Sequence, residues 1–550
     1  MVTDLFKKSI NAFTSKQTNI FSAASFIILT TILSQVLGLL KYRLLVSLFG
    51  ASSALGVFFA AFRIPDFIFQ IVIAGALSSS FIPIFSDYLS RDKKKEAFSL
   101  TSSLITIGLV SFVVVTIVMI IFSYQLVSLV APGFSKDELV LMSRLMIIIQ
   151  LSQLFFILGT VATAILQSFQ HFLIPGIASA FYNAGIILGL IIFTSFFGLG
   201  IYGATVGVLI GSVLFFLIQL PLLASSGFSF KPSFNMKNGV EKILHLMVPR
   251  SATLILSQIA ITANVFFASF VSARGLVIFD LAQTLVMAPV LLFGQSIAQA
   301  SFPALSFKVG DKKEFVSIFT YSFNQILYLT LPISALLIVL RVPVVRLFFG
   351  ASRFDWSATV DTGLTLAYFS ISISAIAIMY LVSRAFYALK DAKTPFIVTS
   401  ISVSINIFTS YLFILCYHFP IYSLAFSFSI ANLVSIVVML LLLDRKVNLP
   451  RLDILLTLTK ILIATVIMGV ALYVPIKLLD QLVFDTTRTI NLLILTGIAS
   501  AAGLASYVFF TWLLDIHEAY YVIAVIKKFG DRTKILKQLG EMIDGSRLNP

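Results

Sequence analysis

The chain has 550 residues, of which 59% are hydrophobic and 11% are charged, a composition far from that of soluble domains. This composition indicates a polytopic membrane protein and excludes a soluble enzyme or a soluble nucleic-acid-binding protein. The formal net charge is +15, but Lys and Arg concentrate in alternate loops, so we interpret the charge as membrane topology and expect no nucleic-acid partner. The single cysteine, Cys416, excludes an intrachain disulfide.

Residues 1–18 place Leu5, Phe6, Ile10 and Phe13 near one helical face, with lysines on the other. This pattern is typical of a helix that lies in the membrane interface, and a frayed terminus is an equally good interpretation. The long apolar segment that follows leads into a second span without a small-residue cleavage site, so we expect no cleaved signal peptide.

About fourteen apolar segments follow, each long enough to cross a hydrocarbon core of roughly 30 Å. The first six lie near residues 20–48, 56–88, 97–128, 138–168, 174–197 and 200–223. The second six lie near residues 240–271, 276–305, 315–348, 358–388, 394–417 and 420–443, and two more lie near 454–479 and 488–514. The sequence therefore predicts an all-α polytopic membrane protein with short connections between its spans.

The two sets of six spans are predicted to be copies of one another. A shift of 220 residues aligns Pro83 with Pro303, Ser86 with Ser306, Phe134 with Phe354, Pro175 with Pro395, and Ile201–Tyr202 with Ile421–Tyr422. One constant offset indicates an internal repeat, and an even number of spans makes the two six-helix halves parallel. The predicted domains are an interfacial segment at 1–18, the halves at 19–224 and 240–443, two additional C-terminal helices at 454–514, and a basic tail at 515–550.

Basic clusters mark alternate loops and orient the bundle. They lie at the N-terminus, in loops that begin near Arg91, Lys231, Lys308, Lys390 and Arg445, and in the C-terminal tail. Because cytoplasmic loops carry the excess of Lys and Arg, we expect both termini in the cytoplasm. The tail is predicted to lie at the surface of an anionic leaflet.

The stretch from Ser34 to Ser86 carries charge inside otherwise apolar segments. Lys41, Arg43, Arg63 and Asp66 are surrounded in sequence by Leu, Val, Ile and Phe. An ionisable group at membrane depth costs about 2.5 kcal/mol or more unless it faces protein or a water-filled cavity, so these residues predict a polar chamber within the bilayer. Arg63 and Asp66 are three residues apart and are predicted to pair along one helical face.

Other polar residues inside the spans are expected to have structural roles. Asp280 and Asp361 lie near span starts and are expected at the outer interface. Asn183 is expected to form a hydrogen bond between helices.

The chain also contains the segments LSQVLGLLKYRLLVSLFGA, VFFAAFRIPDF and GALSSSFIPIFSDY, and later the pieces APGF and SQIAITANVFFASF. These segments resemble the MurJ/MviN-type lipid II flippase family, within the multidrug, oligosaccharidyl-lipid and polysaccharide exporter superfamily. The resemblance spans about the first 440 residues. The chain departs from the family pattern at Gln35 and Phe69, where the family usually has Arg, and at Ala74, where it usually has Glu.

The resemblance implies a flippase that moves lipid II, an undecaprenyl-linked peptidoglycan precursor, from the inner to the outer leaflet of the bacterial cytoplasmic membrane by alternating access. It implies no cofactor, and coupling to the membrane potential or a monovalent ion is a hypothesis. The implied partners are the undecaprenyl-pyrophosphate-linked substrate and the bilayer, with cell-wall synthesis proteins as a candidate class. A flippase for another undecaprenyl-linked polysaccharide precursor and a drug exporter of the same superfamily remain alternatives.

The predicted substrate-binding residues are Lys41, Arg63, Gln35, Arg43, Asp66 and Arg250. Among these residues, Lys41 and Arg63 are expected to hold the pyrophosphate, because cations in a poorly hydrated chamber bind anions tightly. The resemblance also puts Asn264, Asn406 and Ser410 near a sodium site of some family members. A site built from these three would be weak, since hard cations favour charged oxygen ligands. The last two spans are implied to form a groove for the lipid tail.

The sequence contains no motif typical of catalysis. The four histidines, His171, His245, His418 and His517, are widely separated and lack HExxH spacing, and no GxxxxGK[ST] motif occurs. A membrane glycosyltransferase acting on a lipid-linked sugar would need an acidic residue or a sizeable loop on the outer face, whereas the first outer turn, GASSALG, has no charge. We therefore predict a transporter and not an enzyme.

Overall fold

The structure is a computed structural model that describes residues 20–71, 81–235, 240–482 and 489–520. For residues 20–28, 240, 242–253 and 479–482 it describes the backbone alone. The described residues form helices and no strand, which confirms the predicted all-α class. The predicted interfacial segment at 1–18 and most of the predicted tail at 515–550 lie outside the described residues.

The helices, numbered in chain order, are α1 Ile20–Phe49, α2 Ser53–Ala61, α3 Arg63–Phe69, α4 Ile82–Ser90, α5 Lys94–Ile121, α6 Ser123–Val130, α7 Lys136–Ser168, α8 Leu173–Gly189, α9 Ile201–Leu217, α10 Leu220–Ser225, α11 Val240–Val271, α12 Ala273–Pro289, α13 Ser296–Phe307, α14 Lys312–Val339, α15 Arg341–Phe349, α16 Trp356–Ser370, α17 Ile373–Ala388, α18 Lys393–Ser410, α19 Tyr422–Val447, α20 Arg451–Leu482 and α21 Thr489–Leu513. The π-helical segments Leu190–Phe196, Val290–Gln295 and Tyr411–Cys416 continue α8, α12 and α18.

Thirteen segments among the described residues are long and apolar enough to span a membrane, in agreement with a polytopic membrane protein. The difference from the predicted count of fourteen lies in the second span, predicted at 56–88, whose described residues form the three short helices α2, α3 and α4. Pro65 explains the break between α2 and α3, because it lacks the N–H that would bond to the carbonyl of Ala61.

The chain divides into two compact units. Unit 1 comprises Met1–Leu281, Phe348–Asp361 and Val403–Leu424, and unit 2 comprises Ala282–Leu347, Thr362–Ser402 and Ala425–Pro550. These boundaries come from spatial contacts, whereas the halves at 19–224 and 240–443 come from the sequence offset. The division into those halves stays a prediction.

Unit 1 has helices whose backbones touch. A Cβ added to Gly185 of α8 would lie 2.3 Å from the Cα of Gly211 of α9, and one added to Gly189 would lie 2.2 Å from the Cα of Gly207. Small residues of this kind allow two membrane helices to pack closely, which favours dispersion contacts between them. These glycines therefore fix the contact between α8 and α9.

Two further close contacts join the ends of unit 1 helices to segments that follow much later in the chain. A Cβ added to Gly56 of α2 would lie 1.9 Å from the carbonyl oxygen of Ala273, where α12 begins. Gly50, just after α1, has a φ of +61°, and an added Cβ would lie 2.2 Å from the carbonyl oxygen of Arg353. The guanidinium of Arg353 also donates to the carbonyl of Leu48. These contacts place the start of α12 and the loop around Arg353 against the ends of α1 and α2.

In unit 2, α14 contacts the last helix of the described chain. The hydroxyl of Tyr507 on α21 donates to the carbonyl oxygen of Tyr328 on α14 at 2.8 Å. The hydroxyls of Tyr328 and Thr511 lie 3.2 Å apart. The added C-terminal helices thus include one that is hydrogen-bonded to α14.

Some backbone conformations recur at the sequence offset of 220 residues. Gln170 and Lys390 have φ values of 65° and 59°, and Gly198 and His418 have φ values of 68° and 53°. Non-glycine residues rarely adopt these left-handed conformations. The internal repeat stays a prediction, and these paired turns are features that such a repeat would explain.

Candidate functional site

Four charged side chains line a cavity of about 190 Å³ in unit 1, which we call the charged cavity. They are Lys41 from α1, Arg63 and Asp66 from α3, and Asp280 from α12. The rest of the wall consists of Tyr42, Leu45, Phe58, Phe59, Phe62, Tyr182 and Ile186. The cavity therefore combines two cations and two carboxylates with a largely aromatic lining.

An ion pair crosses this cavity between distant parts of the chain. Nη2 of Arg63 lies 3.0 Å from Oδ1 of Asp280, and the hydroxyl of Tyr42 donates to Oδ2 of the same carboxylate at 3.3 Å. The side chains of Arg63 and Asp280 are 18% and 13% exposed, so the pair is largely shielded from solvent. Desolvation offsets much of the attraction in such a pair, so its clearest effect is to hold the guanidinium in place.

The structure corrects two expectations about these residues. Arg63 pairs with Asp280, and not with Asp66 as the spacing along the helix predicted. Its long side chain reaches α12, whereas the shorter side chain of Asp66 accepts a hydrogen bond from Nε2 of Gln153 on α7 at 3.1 Å. Asp280, which was expected at the outer interface, lies in the wall of the charged cavity.

Lys41 lines the same cavity from α1. Its Nζ lies 4.8 Å from the centre of the Tyr42 ring, a cation–π contact. Among the residues that the structure describes, Lys41 forms no ion pair. An ammonium group held over an aromatic ring keeps its donors for an incoming anion.

Arg63 stands where three cavities meet. A polar cavity of about 200 Å³ lies beside Arg63 and Asp66 and is also lined by Gln153, Gln258 and Tyr182. A third, apolar cavity of about 490 Å³ has Arg63 in its wall as well. Nε of Arg63 is buried and has no hydrogen-bond partner in the described part of the chain. The guanidinium therefore has a spare donor at this junction.

The structure separates the predicted substrate-binding residues. Lys41, Arg63 and Asp66 meet at the charged cavity. Gln35 and Arg43 lie on exposed positions of α1 and do not line it. The side chain of Arg250 lies outside the described residues.

The three residues that the resemblance puts near a sodium site are all buried. Asn264 and Asn406 are each 4% exposed and Ser410 is fully buried. Oδ1 of Asn264 has no hydrogen-bond partner among the described residues. Their role as sodium ligands stays a prediction.

The site also contains four residues that were not among the predicted substrate-binding residues: Asp280, Tyr42, Tyr182 and Gln153. A signal for Asp280 was present, because it is a lone carboxylate in the apolar run VIFDLAQTL and the cost of burying charge applies to it as it does to Lys41. Tyrosines and glutamines in apolar helices are common, so their sequence context gave no comparable signal.

Comparisons with known proteins point to one family. The family model described as "Lipid II flippase MurJ" matches residues 45–495. A "Probable lipid II flippase MurJ" from Buchnera aphidicola subsp. Acyrthosiphon pisum is 28% identical over 501 residues, which cover 89% of this chain and 96% of that protein. A solved structure of "Lipid II flippase MurJ, inward closed conformation" has a TM-score of 0.74 and 25% identity, and the match covers 88% of this chain and 98% of that one.

A more distant match shows the fold alone. An inward-facing multidrug resistance transporter of the MATE family has a TM-score of 0.62 at 16% identity, with 76% of this chain and 94% of that chain covered. The helical architecture is thus similar to that of this transporter. It does not by itself distinguish one cargo from another.

Proposed function

This chain belongs to the MurJ family of lipid II flippases, and we propose that it moves a lipid-linked peptidoglycan precursor from the inner to the outer leaflet of the bacterial cytoplasmic membrane. It is an integral inner-membrane protein and a transporter, not an enzyme. The observation that carries the proposal is the charged cavity, where Lys41 and Arg63 meet inside a membrane-embedded unit. Both termini are proposed to lie in the cytoplasm.

The pyrophosphate of the substrate is the group that this cavity suits. Its negative charge attracts Lys41 and Arg63, and shielding from water strengthens that attraction. The guanidinium supplies a planar fork of N–H donors for phosphate oxygens, and the ammonium supplies a compact charge. The buried Nε of Arg63 is one donor that has no acceptor among the residues that the structure describes. The proposal uses these two cations and makes no use of Gln35 or Arg43.

Asp280 has a second part in this proposal. Its carboxylate accepts hydrogen bonds from Arg63 and Tyr42 at 3.0 and 3.3 Å. A pyrophosphate that binds to the same guanidinium competes with this carboxylate for its donors. Asp280 thus keeps Arg63 in position when no substrate is bound, and it gives up part of that contact when substrate arrives.

Alternating access is the proposed transport cycle. The close contacts of Gly56 with Ala273 and of Gly50 with Arg353 are the contacts that would separate when the cavity opens towards that end of unit 1. The cavity would then stay in place while its opening alternates between the two membrane faces, as in other transporters with a central site. Coupling to the membrane potential or to a monovalent ion is part of the proposal.

One observation favours a second candidate, export of a cationic drug. Asp66 and Asp280 place two carboxylates at the cavity, and carboxylates attract cations. Arg63 is ion-paired with Asp280, and Lys41 lines the same cavity, so a cationic drug would meet two positive charges beside the two carboxylates. The lipid-linked substrate is therefore preferred, and another undecaprenyl-linked precursor is the closest variant of it.

The deciding experiment is rescue of a bacterium depleted of its lipid II flippase, combined with a measurement of lipid II transferred to the outer leaflet. Rescue together with restored transfer supports the proposal. Normal membrane abundance without either result contradicts it. Transfer of a different undecaprenyl-linked sugar in the same assay would assign the alternative substrate.

A further inference from the structure

The apolar cavity lies next to the charged cavity and shares Arg63 with it. Its volume is about 490 Å³, within the range of roughly 300–1,000 Å³ usual for sites that bind small ligands. Its wall consists of Arg63, Ile64, Phe67, Leu126, Leu129, Val130, Ile259, Thr262, Ala263, Phe266, Phe267 and Ile407. Apart from the guanidinium and one threonine, this wall is hydrophobic.

The cavity is formed within unit 1 by α3, α6 and α11, with Ile407 from α18. Leu129 and Ile259 in its wall are 71% and 39% exposed. These two aliphatic side chains make the open side of the cavity hydrophobic. The apolar cavity therefore has an open hydrophobic side, and Arg63 forms part of its wall.

The guanidinium of Arg63 relates the two cavities chemically. Nη2 contacts Asp280 in the charged cavity, whereas Nε is buried without a partner among the described residues. A phosphate oxygen bound to this guanidinium would lie at the boundary between the charged wall and the apolar wall. Whatever is bonded to that phosphate on its apolar side would enter the apolar cavity.

We propose that the apolar cavity binds the isoprenoid segment next to the pyrophosphate of the lipid-linked substrate. The inference rests on the proposed function and adds a second subsite to it. The headgroup phosphate contacts Arg63 and Lys41, and the first isoprene units lie between α3, α6 and α11. More distant isoprene units extend past Leu129 and Ile259 into the bilayer or a groove elsewhere on the protein.

The wall chemistry favours an isoprenoid over a phospholipid acyl chain. In a prenyl pyrophosphate the phosphate oxygen is bonded directly to the first carbon of the chain. In a phospholipid a glycerol and two ester groups separate the phosphate from its acyl chains, and these groups need polar partners when they are buried. Among the described residues of this wall, only Thr262 offers a hydroxyl to them. A wall in which the guanidinium is directly followed by hydrocarbon side chains therefore suits the prenyl pyrophosphate.

Photo-crosslinking tests this placement on the unmodified protein in nanodiscs of phosphatidylglycerol and phosphatidylethanolamine. The probe is farnesyl pyrophosphate with a diazirine on its first or second isoprene unit, and labelled peptides are identified by mass spectrometry. Labels are expected in residues 126–130 of α6 and 259–267 of α11, and undecaprenyl pyrophosphate should remove them. Labels that concentrate on α20 and α21 would overturn the proposal, and so would equal competition by phosphatidic acid.

Binding measurements on a matched pair of variants provide the second test. Burial of even one isoprene unit should make farnesyl pyrophosphate bind at least about tenfold more tightly than inorganic pyrophosphate. Ala263→Phe should fill the apolar cavity and remove that preference, while inorganic pyrophosphate still binds. Ala260→Phe, on the same helix but outside the cavity wall, should keep the preference. Leu126→Trp fills the cavity from α6 and checks the result if Ala263→Phe fails to fold.

The two proposals fail in different ways. Wild-type protein that binds inorganic pyrophosphate and farnesyl pyrophosphate equally well would overturn the apolar subsite and leave the headgroup site intact. A preference that survives both cavity-filling variants would do the same. Wild-type protein that binds neither compound would overturn the proposed headgroup site itself.

Discussion

Arg63 on α3 and Asp280 on α12 are 217 residues apart in sequence and form an ion pair of 3.0 Å in the wall of the charged cavity. The pair joins a short helix of the broken second span to the helix that follows α11. It also sets the resting position of the guanidinium that we propose as a pyrophosphate ligand. Removing either partner would therefore affect both structure and binding, and the first two predictions separate these effects.

The first prediction concerns the two cations. Lys41→Gln and Arg63→Gln should each lower outward transfer of the lipid-linked substrate by at least about tenfold, because each removes a charge-assisted contact to phosphate. Arg63→Lys should recover only part of the activity, since an ammonium lacks the guanidinium fork. The measurement is substrate transfer in proteoliposomes, normalised to the amount of inserted protein.

A control and a double variant accompany this prediction. Arg144→Gln removes an exposed arginine from α7 and should leave transfer unchanged. Arg63→Gln leaves Asp280 without its cation, so lower abundance could reflect an unpaired buried carboxylate. The double variant Arg63→Gln with Asp280→Asn removes that charge and should restore abundance without restoring transfer. Normal transfer in the double variant would exclude Arg63 from substrate binding.

The second prediction concerns Asp280 alone. Asp280→Asn removes the carboxylate that competes with phosphate for Arg63, so inorganic pyrophosphate should bind about tenfold more tightly to purified protein. Asp280→Glu keeps the charge and should stay closer to the wild type. Calorimetric titration gives both affinities. Weaker binding by Asp280→Asn would indicate that correct placement of Arg63 matters more than competition.

The third prediction concerns the contact between Gly56 and Ala273. Gly56→Ala adds a Cβ 1.9 Å from the carbonyl of Ala273, so α2 and the start of α12 must move apart. We expect a more open cavity at this end. A cysteine introduced at Leu45, which is 1% exposed in the cavity wall, should then react faster with a membrane-impermeant thiol reagent in a Cys416→Ser background.

Gly108 provides the matched control for that experiment. A Cβ added there meets nothing within 4 Å, although Gly108 also lies inside a spanning helix. Gly108→Ala should leave thiol labelling unchanged and stabilise the protein slightly, by about 0.5–1 kcal/mol. Equal labelling rates in the wild type and Gly56→Ala would show that this contact does not limit access.

The fourth prediction concerns pH and Asp391, which lies between two spans. Burial alone would raise the pKa of Asp391, but hydrogen bonds from Lys446 and Thr394 lower the pKa well below its usual range. Because the folded pKa is lower than the unfolded value of about 3.9, the stabilisation is present above that pH and is lost as the pH falls. Asp391→Asn should thus cost up to about 1 kcal/mol at pH 7, a modest value because Lys446 is 44% exposed.

Thermal unfolding between pH 7 and pH 3 checks the sign of this effect. The difference between the wild type and Asp391→Asn should be nearly constant down to about pH 4.5 and should narrow below about pH 3.9. Lys446→Gln should remove much of the same stabilisation, and the two variants together should be less than additive. A difference that grows as the pH falls would contradict the lowered pKa.

The sequence was sufficient to predict the fold class because its signals are local. A sufficiently long run of apolar residues predicts a span whatever the rest of the chain does. Lys41 and Arg63 could be identified as candidate site residues because burying a charge in the membrane is costly. The break at Pro65 was also available locally, since proline removes a backbone donor. The predicted second span, at 56–88, nevertheless included Pro65, because the prediction was based on overall hydrophobicity.

The partners in the site were not predictable in the same way. Sequence spacing offered Asp66 as the neighbour of Arg63, but the fold brings Asp280 and Gln153 to these two residues from α12 and α7. Whether a side chain pairs along its own helix or across to another depends on how the helices approach. That approach is set in part by backbone contacts such as the one between Gly56 and Ala273.

The balance of two cations and two carboxylates in the charged cavity has a consequence for the unloaded half of the transport cycle. With Lys41, Arg63, Asp66 and Asp280 ionised, the vacant cavity has no formal charge excess. Enclosing a net charge in a low-dielectric interior is costly, whereas a set of opposite charges that satisfy one another is enclosed at lower cost. We therefore expect the vacant cavity to close at a lower electrostatic cost than a cavity that contained the two cations alone.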